Sequence, residues 1–209
     1  MRIEIRGDQV LLDGYVNAVG RESRILPSPN GRFKEQIVPK TFEKALLKSE
    51  NVDLLFNHNK DRKLGSITDG NLELREDNIG LRAIATVTDE DVIQKARNGE
   101  LRGWSFGFIA NSDRWEDGSD GIQRRFIEDL DLLEVSILDK TPAYIATSIE
   151  ARGEDSYITE QRNEEFTASV VDKTDNKQAE EQEEKREESQ IDYSIYQKEI
   201  DLLKLKGGK

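Results

Sequence analysis

Gln123-Arg-Arg-Phe-Ile-Glu-Asp-Leu-Asp-Leu-Leu-Glu-Val-Ser-Ile137 returns an apolar side chain at close to every second position and holds no glycine or proline. Successive side chains of a β-strand point to opposite faces, so the stretch reads as one long strand. In its second half, alternation places Leu132, Glu134 and Ser136 on one face and Leu133, Val135 and Ile137 on the other. Working outward, Val10–Val19, Asn71–Arg75, Gly80–Val87 and Ser105–Ala110 are also short, β-branched or alternating, and bounded by Gly, Asp or Asn. Two helices interrupt them. Pro39–Lys48 opens at a helix-compatible proline and aligns Phe42, Ala45 and Leu46. The second has Thr88 as its expected N-cap, acidic residues at 89 to 91, an apolar edge of Val92 and Ala96, and Gly99 to end it in a left-handed conformation. The expected class is mainly β with a few helices (α+β).

The chain has 209 residues, with 31 Lys+Arg against 43 Asp+Glu and a net charge of −12, which argues against a protein built to neutralise phosphates or coat an anionic membrane. Nucleic acid and membrane are therefore not expected partners. With no Cys and one His, disulfides, thiolate nucleophiles, cysteine-held zinc and multi-histidine metal sites all leave together, and no metal or cofactor is expected. The start, Met1-Arg-Ile-Glu-Ile-Arg6, carries charge inside its apolar stretch and does not read as a secretory signal; a soluble, cytosolic protein is expected. All four Pro, both Trp and 13 of the 15 Gly precede residue 154, whereas Glu154–Lys209 holds 16 acidic and 9 basic residues. Residues 1–153 are expected to form the folded domain, and 154–209 an acidic tail, helical or disordered. Within the tail, Gln178–Gln190 has one apolar residue, and Tyr193, Tyr196, Ile200 and Leu203 fall on one stripe of a short helix.

Three residues could carry chemistry. His58, in Leu54-Leu-Phe-Asn-His-Asn-Lys60, follows an apolar run at a strand end. Ser105, in Leu101-Arg-Gly-Trp-Ser-Phe-Gly-Phe108, is flanked at two residues on each side by glycine, which lets backbone approach closely. Taken literally, Gly103-Trp-Ser-Phe-Gly107 matches a nucleophile elbow, but an elbow needs a strand before its Ser and a helix after it, and here the order is reversed. Glu134 lies in the long strand just ahead of the rigid turn Thr141-Pro-Ala-Tyr144. If that strand lies beside His58, Glu134 accepts the imidazole N–H and Ser105 gains an adjacent base. Asp129 and Asp131 fall on the other parity from Glu134 unless a bulge intervenes.

Taken together, the His at the end of an apolar strand, the Arg-Gly-x-Ser-x-Gly-Phe stretch about fifty residues on, and Leu-Glu-Val-Ser-Ile running toward Pro-Ala resemble the prohead (capsid maturation) proteases of tailed bacteriophages of the HK97 type. The resemblance spans about residues 10 to 150, including Gly14-Tyr15-Val16 and the helix start at Ile37-Val-Pro-Lys-Thr-Phe42. It implies an assemblin-like β-barrel surrounded by helices and a serine endopeptidase with Ser105 as nucleophile, His58 as general base and Glu134 as third member. The implied substrates are the scaffold segment of the major capsid protein and the enzyme itself, met inside a procapsid assembling in the host cytoplasm. The capsid protein or its scaffold segment is then the partner, with self-association open. Backbone amides near Ser105, or Arg124 or Arg125, are oxyanion candidates by charge alone. The acidic tail would be a removable packaging element. The rival with the same fold is a catalytically silent capsid assembly or scaffolding protein; an esterase and a peptide-binding module fit the residue order and spacing less well.

Overall fold

In the computed structural model of the chain, the described residues are 1–28, 31–139, 150–151, 158–165 and 169–173. Two compact units divide the chain, Met1–Asp172 and Lys173–Lys209, and the first carries the elements that follow. In order they are β1 (Arg2–Arg6), β2 (Gln9–Ala18), β3 (Leu26–Ser28), β4 (Gly31–Ile37), α1 (Thr41–Lys48), β5 (Asp53–Phe56), β6 (Asn59–Ser66), β7 (Leu72–Glu76), β8 (Gly80–Val87), α2 (Glu90–Arg97), β9 (Gly103–Glu116), β10 (Gln123–Leu138), β11 (Glu150–Ala151), β12 (Ile158–Glu165) and β13 (Ser169–Asp172). One sheet runs β13-β1-β2-β8-β7; the other runs β11-β12-β9-β10-β4-β3, with β5 on β10 and β6 on β5. The mainly β class with two helices holds. Among the described residues the two sheets stay open, and no ring of paired strands closes into a barrel. The turn at Thr141–Tyr144, the run Gln178–Gln190 and the Tyr193–Leu203 stripe lie outside the described residues.

The long strand read from Gln123 to Ile137 is β10, and it organises the second sheet. One edge pairs antiparallel with β9. The other takes two parallel partners end to end: β4 from Gln123↔Phe33 to Ile127↔Ile37, then β5 from Glu134↔Asp53 to Ile137↔Phe56. Between them the chain detours through α1, whose first residue holds it to the strand: the Thr41 hydroxyl donates to the carbonyls of Ile127 and Glu128. This detour delivers the end of β5, and so His58, to the second half of β10. Trp104, Phe42, Phe106 and Phe108 are fully buried, and Phe42 meets Phe106 edge-on at 5.3 Å.

Both helices start later than the sequence suggests. Lys40 sits at φ 74, so α1 begins at Thr41 and not at the proline; Glu76 of β7 accepts from the amides of Lys40 and Glu43, doing from outside what an N-cap side chain would do. For α2 the cap is Asp89 and not Thr88, because its carboxylate reaches the Val92 amide at 3.0 Å. Gly99 ends that helix at φ 66, as its position implies.

Candidate active site

His58 belongs to a two-residue turn between β5 and β6 in which Asn57 and His58 take φ 54 and φ 58. Positive φ at both central residues is the geometry of a type I′ hairpin turn, and Asn and His are among the few non-glycine residues found there readily. The turn is fastened to the end of β10. The Asn57 amide donates to the Ile137 carbonyl, its side chain donates to Asp139 Oδ1 at 2.8 Å, and the Asp139 amide returns a bond to Asn57 Oδ1. The His58 amide in turn donates to Ser136 Oγ at 3.1 Å. With the backbone held twice, the imidazole Nδ1 lies 2.7 Å from Glu134 Oε1, both side chains largely buried. A carboxylate only accepts, so Nδ1 carries the proton and Nε2 is the basic nitrogen. The other oxygen, Glu134 Oε2, accepts from Ser136 Oγ at 2.6 Å.

A β-bulge places that carboxylate. Leu132 pairs with Phe108 and Glu134 with Gly107, so Leu133 is the extra residue, exposed where its neighbours are buried. The simple alternation that put Leu132 on the Glu134 face is therefore wrong at this point: Leu132 belongs to the core with Val135 and Ile137. The same bulge returns Asp131, opposite Ile109, to the parity of Glu134, opposite Gly107. What separates the two acids is contact. Asp129 and Asp131 both bind Lys48 at 2.8 Å, whereas Glu134 binds His58.

Ser105 is fully buried in β9, directly across the ladder from Ser136. Residues opposed in this way have Cβ atoms about 4.5–5.5 Å apart, so Ser105, Ser136 and Glu134 share one face of the sheet. The Ser105 hydroxyl donates to the carbonyl of Arg162 in β12 at 2.7 Å. It stands inside a strand, not at a strand-to-helix turn, so the elbow match was formal. The glycine two residues on has a steric task that the pattern alone does not show: a Cβ on Gly107 would fall 2.6 Å from Glu134 Oε1, the oxygen that meets His58.

Sequence reasoning missed Ser136, which joins the Glu134 carboxylate to the His58 backbone; its parity with Glu134 was the available signal. It also missed a buried charge cluster on the far side of β9. Arg162 donates through Nε and a terminal nitrogen to both oxygens of Glu35, at 2.6 and 2.7 Å, and Arg125 donates to Glu160 Oε2 at 2.6 Å. Burial alone would lift the Glu160 carboxyl, but the hydrogen bond from Arg125 and the charges of Arg162 and Arg125 outweigh it and hold the group below its ordinary value. Of the oxyanion candidates, Arg124 is committed to Glu22 and Asp120, and Arg125 to Asp113, Glu35 and Glu160.

The family model of the caudovirus prohead serine proteases matches residues 1–162. No curated protein and no solved structure matches the chain. A match over that span shows that the chain belongs to this family: it is a serine peptidase of capsid maturation, which meets the capsid protein within the assembling prohead.

Proposed function

We propose that this prohead protease cuts peptide bonds with Ser105 as nucleophile, His58 as general base and Glu134 as the acid that orients and charges the imidazole. The observation that carries the reading is the 2.7 Å contact between His58 Nδ1 and Glu134 Oε1, on the sheet face that also holds Ser105. Ser105 Oγ attacks the scissile carbonyl carbon while His58 Nε2 takes its proton. The imidazolium, steadied by Glu134, gives that proton to the departing amine as the C–N bond breaks and an acyl-enzyme forms. Water, deprotonated by His58, then frees the acid and restores Ser105.

The substrates proposed are the scaffold segment of the major capsid protein and the chain itself, in procapsids assembling in the host cytoplasm. Residues from about 154 onward are the removable packaging segment, with the Tyr193/Ile200 stripe as its docking face. One observation favours the second reading, a silent assembly protein on the same fold: Ser105 has no exposed surface and its hydroxyl is given to Arg162. Wild type and Ser105→Ala, weighed by intact-mass spectrometry alone and after mixing with a capsid protein that retains its scaffold segment, decide between them. Shortening of the chain or of the capsid protein by wild type only is the expected result. Both proteins whole, under conditions that assemble procapsids, refutes the peptidase assignment of Ser105.

A further inference from the structure

A nucleophile must come within about 3–3.5 Å of the carbonyl it attacks. If Ser105 cuts peptides, as proposed above, whatever now fills that space has to leave. What fills it is β12, which pairs antiparallel with β9 from Thr159↔Ile109 to Glu165↔Gly103, Asn163 facing Ser105. An extended chain thus lies along the nucleophile's own strand, with a main-chain carbonyl, that of Arg162, 2.7 Å from Ser105 Oγ. This is the pose of a peptide bound by strand addition.

We propose that the edge of β9 is the substrate-strand site, that β12 is its internal occupant, and that Arg125 and Glu35 select an entering peptide bearing a carboxylate and, two residues later, a basic side chain. The charges come from the alternation of β12. Glu160 and Arg162, two apart, lie on the face of β9 opposite to Ser105 and are nearly fully buried. There Arg162 forks onto both oxygens of Glu35 with its guanidinium 5.3 Å from the Phe108 ring centroid, and Glu160 takes Arg125 at 2.6 Å. Glu35 in β4 and Arg125 in β10 belong to the scaffold and stay when β12 goes. Between themselves they keep a contact of 3.2 Å, with Asp113 on the other side of Arg125. Buried charges are costly unless paired and hydrogen-bonded. A peptide apolar at these two positions therefore leaves Glu35 without its fork, and one with the order reversed sets acid against Glu35 and base against Arg125. Only acid-x-base, in the direction of β12, restores what leaves. Because the occupant is tethered, its effective concentration is of the order of millimolar, so a free peptide competes poorly until β12 is loosened or cut away.

The test uses the full chain and a serine-directed fluorophosphonate probe, with labelling of Ser105 located by mass spectrometry. Glu160→Ala/Arg162→Ala removes the two charges that meet Arg125 and Glu35 and leaves Glu35 paired with Arg125; Ser105 is expected to label at least tenfold faster than in wild type. A peptide of sequence Ile-Thr-Glu-Gln-Arg-Asn-Glu-Glu, added to that variant, is expected to slow labelling again at least tenfold, and the same peptide with its third and fifth residues exchanged is expected not to. Equal labelling rates in wild type and variant overturn the occupancy of the site by β12, and equal protection by the two peptides overturns selection by Glu35 and Arg125. If the double variant does not melt cooperatively, Arg162→Lys, which keeps the charge and loses the fork, replaces it: faster labelling than wild type supports the proposal and an unchanged rate overturns it. Absence of labelling in every folded variant refutes Ser105 as nucleophile, an outcome distinct from labelling that merely ignores β12.

Discussion

Gly107→Ala tests the pairing of His58 with Glu134 without touching either residue. Gly107 is not in the left-handed region, so alanine fits the backbone of β9 and the perturbation is steric. Its Cβ would sit 2.6 Å from Glu134 Oε1, 3.2 Å from Cγ and 3.3 Å from Cδ, where ordinary contact begins at 3.4 Å. The carboxylate must therefore retreat by about 0.8 Å, which carries Oε1 from 2.7 Å to about 3.5 Å from His58 Nδ1, the outer limit of a hydrogen bond. A hydrogen bond to a charged group contributes about 1.5–3 kcal/mol, and each 1.36 kcal/mol is tenfold in rate, so kcat should fall about 10- to 150-fold. KM should change little, since the loss falls on the imidazolium formed in the transition state. The assay is cleavage of scaffold-bearing capsid protein at matched concentrations. Activity within twofold of wild type would refute the claim that Glu134 holds the base and steadies its imidazolium.

Ser136→Ala should lower stability by about 1–3 kcal/mol, because it removes both the hydroxyl that accepts from the half-buried His58 amide and the donor to the Glu134 carboxylate, and should lower kcat more than it raises KM; denaturant titration and steady-state kinetics check the two parts. Asp89→Ala removes the cap of α2 and a carboxylate that receives Arg62, and should cost about 1–2 kcal/mol in denaturant unfolding with cleavage unchanged, whereas Thr88→Ala should stay within about 0.5 kcal/mol. Because the folded Glu160 carboxyl lies below its ordinary value, its contribution to the docking of β12 is complete above the unfolded value of about 4.3 and is lost as pH falls from there through the folded value. Amide exchange in β12 should accordingly quicken below about pH 4 in wild type and depend less on pH in Glu160→Gln; identical pH profiles would contradict this.

What the sequence let one read follows from where each constraint resides. β10, β2, β7 and β8 carry their burial pattern locally, so alternation and glycine punctuation find them. β1 does so too, with Ile3 and Ile5 buried, but Arg2 and Arg6 obscure it; both bind Glu4, itself buried. The outer half of β9 has no such pattern, since its ladder with β10 leaves the core and its residues turn exposed and, Trp115 apart, polar. The bulge at Leu133 depends on the pairing of β10 with β9, and no property of Leu-Leu-Glu announces it. His58, Ser105 and Glu134 stood out as candidates because their residue types are rare or oddly placed. The meeting of His58 with Glu134 was not legible, since it requires β4 and β5 to share one edge of β10. The charge cluster was least legible: Glu35 and Arg125 are ninety residues apart, and Glu160 and Arg162 fall in what composition marks as an acidic tail.

Cost argues for catalysis over a silent scaffold. His58 is held at φ 58, where a non-glycine residue is disfavoured by roughly 1–3 kcal/mol, and Glu134 keeps a carboxylate largely out of water. Exchanging a buried charge and its hydrogen-bonded partner for neutral groups of similar shape is often neutral or stabilising by about 1–4 kcal/mol. A protein that only assembled would gain from the exchange, whereas a peptidase cannot make it. His58→Gly/Glu134→Gln relieves the φ strain, removes the buried charge and keeps an acceptor for Ser136 Oγ. Its unfolding free energy should match or exceed that of wild type within about 1 kcal/mol, with cleavage abolished. Were the double variant instead destabilised by more than about 2 kcal/mol, the pair would be structural in its own right, and its burial would no longer speak for catalysis.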